Sequence, residues 1–223
     1  MGSGSGGIFQ STDDGVTWTF QLAVSGPLVA ADWTRGVLYA AASPTGVLEI
    51  STNLQTVQSI GPPGIVGLGL VTAGGYVYVP GSGGHNTFVM KLDPSGNIVY
   101  STYFGGSFDD VAVAMTVDSA GNVYVTGTTT SQDFPTTKGA YSSSPGDSFL
   151  YKLNPDGSVG YSTYFPVGAS TPLSIAADSS GSAYVAGMTF GGLPTTPGAY
   201  KTVCGCLEVF GATDEDRFLG QRL

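Results

Sequence analysis

Charge is scarce in this chain. Lys, Arg, Asp and Glu supply 10% of its 223 residues, against about a quarter in an average soluble domain. Helices normally coat their solvent faces with Glu, Lys and Arg, so the shortage argues against a helical protein. Basic residues are the scarcest: seven Lys and Arg stand against 16 Asp and Glu, a net charge of −9. A surface of that sign repels phosphate backbones and anionic lipid, which argues against nucleic acid and membrane surfaces as partners. The two cysteines, Cys204 and Cys206, are too few for a disulfide scaffold, and a C-x-C spacing is short for an unstrained bridge. The longest apolar runs, such as 111–117, fall far short of the roughly 20 residues of a membrane helix, so no membrane insertion is expected. Residues 1–7 carry neither the basic nor the apolar segment of a signal peptide. They read as a linker, or as a turn left after an upstream region was lost.

What is abundant is glycine, at 35 positions, with 13 prolines and 11% aromatic residues. The glycines follow no period of three, which excludes collagen. An apolar content of 41% excludes a chain too polar to fold. Short strands with many turns remain, and the chain is expected to be all-β.

The sequence repeats itself. Phe88–Phe104 aligns with Phe149–Phe165 at an offset of 61, with ten of 17 positions identical. Asp118–Gly127 matches Asp178–Gly187 at an offset of 60, six of ten, and Pro135–Tyr141 matches Pro194–Tyr200 at 59, six of seven. Three matches in order at nearly one offset mark a duplicated unit of about 60 residues. A shorter echo, Gly-x-x-Tyr, recurs at Gly36/Tyr39, Gly75/Tyr78, Gly121/Tyr124 and Gly181/Tyr184. An apolar run precedes each copy, at 27–31, 65–71, 111–117 and 172–177. Asp93-Pro-Ser-Gly96 and Asn154-Pro-Asp-Gly157 carry the Pro and Gly of tight turns. Each unit therefore reads as strand, Gly turn, strand, variable loop, strand, turn, strand.

Four-stranded units at a period of 40 to 60 residues predict a β-propeller, with antiparallel blades stacked around an axis. A sandwich strand alternates apolar and polar residues, whereas 111–117 and 123–125 are apolar almost without interruption. That pattern suits inner strands covered on both sides. The expected blades lie near 27–60, 64–104 and 109–165. A partial blade is expected at 7–23 and an incomplete last one at 170–223, giving four to five blades in a single domain. Both ends offer the same outer third strand, the last at Arg217–Leu223, so an incomplete propeller with open, self-associating edges is expected.

Residues 88–200 resemble the bacterial β-propeller repeat family SBBP. The marks are Tyr100-Ser-Thr-Tyr-Phe-Gly-Gly106, Asp109-Asp110, Asp118-x-x-Gly-Asn-Val-Tyr-Val-Thr-Gly127, Phe134-Pro-Thr-Thr137 and Phe149-x-x-Lys-Leu153. The resemblance implies a propeller in exported bacterial proteins and transfers no activity. In the second copy, Thr171-Pro172 is read as replacing the Asp-Asp pair, so a site built on those acids is missing there. Ser11, Asp13, Gly15, Thr17 and Trp18 are similar to the Asp-box, S-x-D-x-G-x-T-W. The resemblance implies a structural turn between the outer two strands of a blade, where Asp accepts backbone N–H groups, Gly permits the bend and Trp fills the gap.

No chemistry is proposed by these residues. A sialidase needs three arginines on a carboxylate, and the chain has three in all, Arg35, Arg217 and Arg222, two of them in its last seven residues. The single histidine, His85, lies in a glycine-rich loop without a nucleophile motif. Asp109-Asp110 and Asp214-Glu-Asp216 could offer oxygens to Ca²⁺ but lack EF-hand spacing. The plainer reading makes Asp110 a turn cap at the entry of an inner strand. Cys204-Gly-Cys206 has no second cluster to close a zinc site, and no glycine-rich stretch precedes a helix as a nucleotide loop would. Catalytic residues, metal and cofactor are therefore all expected to be none. The expected function is a non-catalytic scaffold or binding surface of an exported bacterial protein, secreted or at the cell surface, with a protein or glycan ligand. A lectin-like propeller is the alternative, because exposed tyrosines and Asp/Asn turns are what lectins use. A propeller lyase or hydrolase is a third reading.

Overall fold

The computed structural model describes residues 5–11, 13–14, 16–17, 19–25, 28–34, 37–42, 46–50, 57–60, 71–83, 85–165, 170–189 and 194–202. Every regular element among them is a strand. β1 (Ser5–Gln10) and β2 (Thr19–Ser25) form a hairpin. Three four-stranded sheets follow: β3 (Leu28–Thr34), β4 (Val37–Ala42), β5 (Gly46–Ile50) and β6 (Val57–Ile60); β7 (Val71–Ala73), β8 (Tyr76–Gly83), β9 (Asn86–Leu92) and β10 (Ile98–Phe104); β11 (Asp110–Val117), β12 (Val123–Thr129), β13 (Ser148–Leu153) and β14 (Val159–Phe165). A hairpin of β15 (Ser170–Ala177) and β16 (Ala183–Thr189) comes last. Strands within each sheet run in sequence order and every pairing is antiparallel. The chain is all-β and built as propeller blades are.

The first strands of successive sheets meet: β3 contacts β7, β7 contacts β11, and β11 contacts β15. The predicted apolar runs at 111–117 and 172–177 fall within β11 and β15, and only the last residue of the run at 65–71 lies within the described residues. Burial departs from the expectation in one respect. β12 and β13 are buried on both faces, but β11 begins by alternating, with Val111 and Val113 exposed and Ala112 buried. A first strand has one neighbouring strand in its own sheet and an open edge on the other side, so it is less covered than the two middle strands. The same irregularity marks three first strands: register shifts between Leu28 and Ala30, between Ala112 and Ala114 and between Pro172 and Ser174.

The core between the second and third four-stranded sheets is aromatic. Phe134 stacks on Phe149 at 4.6 Å, Phe149 on Tyr151 at 5.7 Å, and Tyr151 lies 4.4 Å from Phe104 across the gap. Aromatic pairs at such separations add to their area burial. The Phe134-Pro-Thr-Thr stretch reaches this core from a loop. The Tyr164 hydroxyl accepts the Phe134 N–H at 2.8 Å and donates to the Ser131 carbonyl at 2.7 Å. Beyond Phe134 the loop runs along β14, with Thr137 N–H donating to Ser162 O at 3.0 Å and Tyr164 N–H to Ser142 O at 3.2 Å. The sheet thereby covers its own outer edge.

Candidate functional site

The Gly-x-x-Tyr echo folds into a clamp at two of the described hairpin turns. Between β11 and β12, the Asp118 carboxylate accepts the N–H groups of Ala120 (3.0 Å) and Asn122 (2.9 Å), the Asn122 side-chain amide (2.7 Å) and the Tyr124 hydroxyl (3.0 Å). Gly121 takes φ +86° in this turn, a conformation a side chain would strain. Between β15 and β16, Asp178 accepts from Ser180 N–H, Ser182 N–H and the Tyr184 hydroxyl, each at 2.9 Å, with Gly181 at φ +88°. Burial opposes the Asp118 charge, but its hydrogen bonds, from Asn122 first, hold the carboxyl below its ordinary range. Burial, then the bond to Asp118, pushes Tyr124 up to about 12. The structure thus gathers Gly121 with Tyr124 and Gly181 with Tyr184, and it also joins the two clamps: the Tyr124 hydroxyl lies 3.3 Å from the Gly181 carbonyl of the next hairpin.

Lys91 was not singled out by the sequence, yet it occupies the most elaborate polar environment in the core. Its ammonium lies 4.4 Å from the Tyr76 ring centroid, 5.4 Å from Tyr78 and 5.9 Å from Tyr100, and it donates to the Pro155 carbonyl of the next sheet at 3.4 Å. The side chain is buried, and burial holds its pKa below the usual lysine range. Lys152, at the repeat offset of 61, lies 5.4 Å from the Tyr124 ring. A lysine recurring at that offset, in a chain with four lysines, was the available signal. These contacts explain the Lys of the Phe-x-x-Lys-Leu mark as a cation between sheets.

At the first hairpin, Asp13 accepts the Thr17 N–H at 2.8 Å and the Ser11 hydroxyl at 2.8 Å. These bonds, from the Thr17 hydroxyl first, hold its carboxyl below the ordinary range. The turn joins β1 to β2. Gly15 and Trp18 lie outside the described residues, as do Cys204, Cys206 and Asp214–Asp216.

His85 and Asp109 meet at 2.6 Å on the surface, with side chains 73% and 65% exposed. Asp110 is buried and caps the turn, accepting Gly106 N–H at 2.7 Å and the Ser131 hydroxyl at 3.2 Å. Strand register corrects the reading of the second copy: Asp110 pairs with Thr129 and Ser170 with Thr189, while Ala112 and Pro172 both pair with a glycine. Ser170 therefore stands where Asp110 does, and Pro172 where Ala112 does. The offset falls from 61 to 60 between β14 and β15, and the strand register places Ser170 and Pro172 accordingly. Among the described residues no three His, Cys, Asp or Glu side chains gather as a metal site.

Residues 99–135 match the SBBP family, described as a beta-propeller repeat. This segment is similar to an SBBP propeller repeat. It runs from β10 through the β11–β12 hairpin to Pro135, and so contains the Asp118–Tyr124 clamp, the Asp110 cap and Phe134. A search of curated proteins found no match. Among solved structures, the computationally designed Ika4 protein is similar with 9% identity and a TM-score of 0.47, covering 73% of this chain and 92% of its own. The N-terminal domain of Nup159 has 10% identity and a TM-score of 0.43, over 74% of this chain and 40% of its own. A europium-containing methanol dehydrogenase has 10% identity and a TM-score of 0.42, over 85% and 46%. The chain spans less than half the length of the latter two, and similarity at this level says nothing of function. No helix among the described residues is long and apolar enough to cross a membrane.

Beyond residues 99–135, a cleft of about 520 Å³ opens between the loop after Phe134, β14 and β16. Leu150, Tyr161 and Phe165 form one wall, and Ala183 and Val185 of β16 the other. Tyr141, at its mouth, is 62% exposed.

Proposed function

We propose that the chain is a non-catalytic propeller module, a scaffold or binding surface of an exported bacterial protein that acts outside the cell or at its surface. The observation that carries this reading is the use made of the polar side chains. Asp118, Asp178, Tyr124, Lys91 and Asp110 are each engaged in turns or between sheets. Groups that could act as acids, bases or cation ligands are thereby spent on holding repeats together. Both side chains of the His85–Asp109 pair are largely exposed, which fits a surface ion pair better than a triad. A composition low in Lys and rich in Gly, Ser, Thr and Tyr supports export. A broad hydrolase and lyase screen of the purified chain tests the reading, and turnover that His85→Ala abolishes would overturn it.

A lectin-like role is the second reading. Tyr103, Tyr141 and Tyr200 are 71%, 62% and 106% exposed, and exposed aromatic faces beside Asp and Asn turns are suited to stacking on sugar rings. Glycan-array binding lost on Tyr141→Ala supports it.

A further inference from the structure

The cleft beside β16 has the shape of a place the preceding repeat fills with a strand. In the third four-stranded sheet, β13 pairs with β12 in the register Val123↔Leu153, Val125↔Tyr151 and Gly127↔Phe149. Those three residues of β13 turn toward the second sheet, where Tyr151 packs on Phe104 and the cluster takes in Tyr100 and Val89. One repeat later, Leu150, Tyr161 and Phe165 stand where Val89, Tyr100 and Phe104 stand, and these three line the cleft. β16 corresponds to β12, yet it pairs with β15 and with no other described strand. Val125 is fully buried, whereas Val185 at the matching position is 37% exposed. The cleft also continues an interface already formed, since Leu150 packs with Tyr124 and Ile175 in one buried cluster.

From this continuity we infer that the cleft is a strand-accepting site. Its ligand is an extended peptide segment with bulky apolar side chains at every second position, aromatic at the first two, as in Phe149-x-Tyr151-x-Leu153. The segment hydrogen-bonds along β16 with its apolar residues opposite Gly187, Val185 and Ala183, and they enter the cleft against Phe165 and Tyr161. Main-chain pairing supplies affinity and the alternate side chains supply selectivity, as in other cases of strand addition. The inference rests on reading the chain as a binding module and names the chemistry of its partner.

The test is fluorescence anisotropy of the whole chain with a labelled peptide of the sequence 147–154, Asp-Ser-Phe-Leu-Tyr-Lys-Leu-Asn. A second peptide carries Ser in place of the Phe and Tyr. The expected result is saturable binding of the first peptide, at least about tenfold tighter than the second, because two aromatic side chains are buried. Val185→Lys, at a position exposed enough to accept the change, is expected to weaken the first peptide by a similar factor with an unchanged circular dichroism spectrum. Absence of binding to the whole chain overturns the proposal, and that includes a cleft already filled by the chain itself. Equal affinity for the two peptides, or no effect of Val185→Lys, overturns it too. Turnover in the enzyme screen would defeat the non-catalytic reading and leave the peptide result standing.

Discussion

Tyr124 reaches out of its own sheet to within 3.3 Å of the Gly181 carbonyl, 57 residues further along the chain. The same hydroxyl donates to Asp118 at 3.0 Å within its own hairpin. One side chain thus ties a turn to its strand and one repeat to the next. Tyr124→Phe removes only the hydroxyl and leaves Asp118 short of a donor in a buried site. Unfolding in urea is expected to show a loss of about 1–2 kcal/mol. Tyr184→Phe, where the tyrosine is 61% exposed, is expected to cost clearly less. Equal costs would show that the tie between repeats contributes nothing.

Lys91 and Lys152 share a repeat position but not a cage. Three rings surround the first, and one lies near the second. Lys91→Met keeps most of the volume and removes the charge, so its effect on unfolding isolates the cation. A loss of about 1–2 kcal/mol is expected at Lys91, against less than about 1 kcal/mol for Lys152→Met. A Lys91→Met chain that unfolds later than wild type would show that desolvating the ammonium outweighs its contacts with the rings.

Much of this was legible in the sequence, for a physical reason. Turn residues and strand runs are local, and duplication displays them twice, so the blades and the Asp-x-x-Gly-x-x-Tyr hairpins could be read before any strand was paired. What escaped was whatever depends on pairing between distant segments. Lys91 looks like a surface lysine until Tyr76, Tyr78 and Tyr100 are seen around it. The place of Asp110 in the second repeat was misjudged by two residues, because only the pairing with Thr129 and Thr189 fixes it. Exposure of Val111 and Val113 was missed for the same kind of reason: an apolar run does not say which strand lies at an edge.

Gly127 closes β12 onto the irregular part of β11. A Cβ there would meet the Val111 carbonyl oxygen at 2.0 Å and the Phe149 ring at 2.7 Å. The first obstacle is backbone and cannot rotate away, so the strands must separate. Gly127→Ala is expected to cost about 3 kcal/mol or more, the upper part of the range for overpacking, read as a lower urea midpoint with unchanged slope. Gly187 repeats the geometry, with a Cβ 2.3 Å from the Thr171 carbonyl oxygen, and Gly187→Ala is expected to separate β15 from β16 in the same way.

The Asp13 turn tests whether a motif that looks functional is structural. Asp13→Ala removes the acceptor for the Thr17 N–H and the Ser11 hydroxyl. The melting temperature of the chain is expected to fall by a few degrees. Glycan or peptide binding is expected to stay within twofold. Loss of binding at an unchanged melting temperature would show the opposite.

Stability should fall at both ends of the pH scale, through different groups. Asp13, Asp93, Asp118, Asp133, Asp156 and Asp178 are all held below the ordinary carboxylate value of 3.8. A carboxyl depressed in the folded state contributes stability that is present above its unfolded pKa and lost as pH falls through the folded one. The acid limb should therefore begin near pH 4 and deepen below it. The tyrosines shift the other way: burial raises Tyr78, Tyr100, Tyr124, Tyr151, Tyr161 and Tyr164 above 10.0. A raised phenol keeps its proton in the fold, so its stabilisation is present below pH 10 and lost as pH climbs toward the folded value. Lys91 acts against this, because its lowered pKa makes folding easier once the ammonium loses its proton. Six tyrosines against one lysine leave a net alkaline loss. Urea midpoints measured from pH 2 to 12 should form a plateau between about 5 and 9.5 with a fall on each side, and Tyr124→Phe should flatten the alkaline fall. A midpoint that rises from pH 10 to 12 would assign the alkaline limb to Lys91 instead.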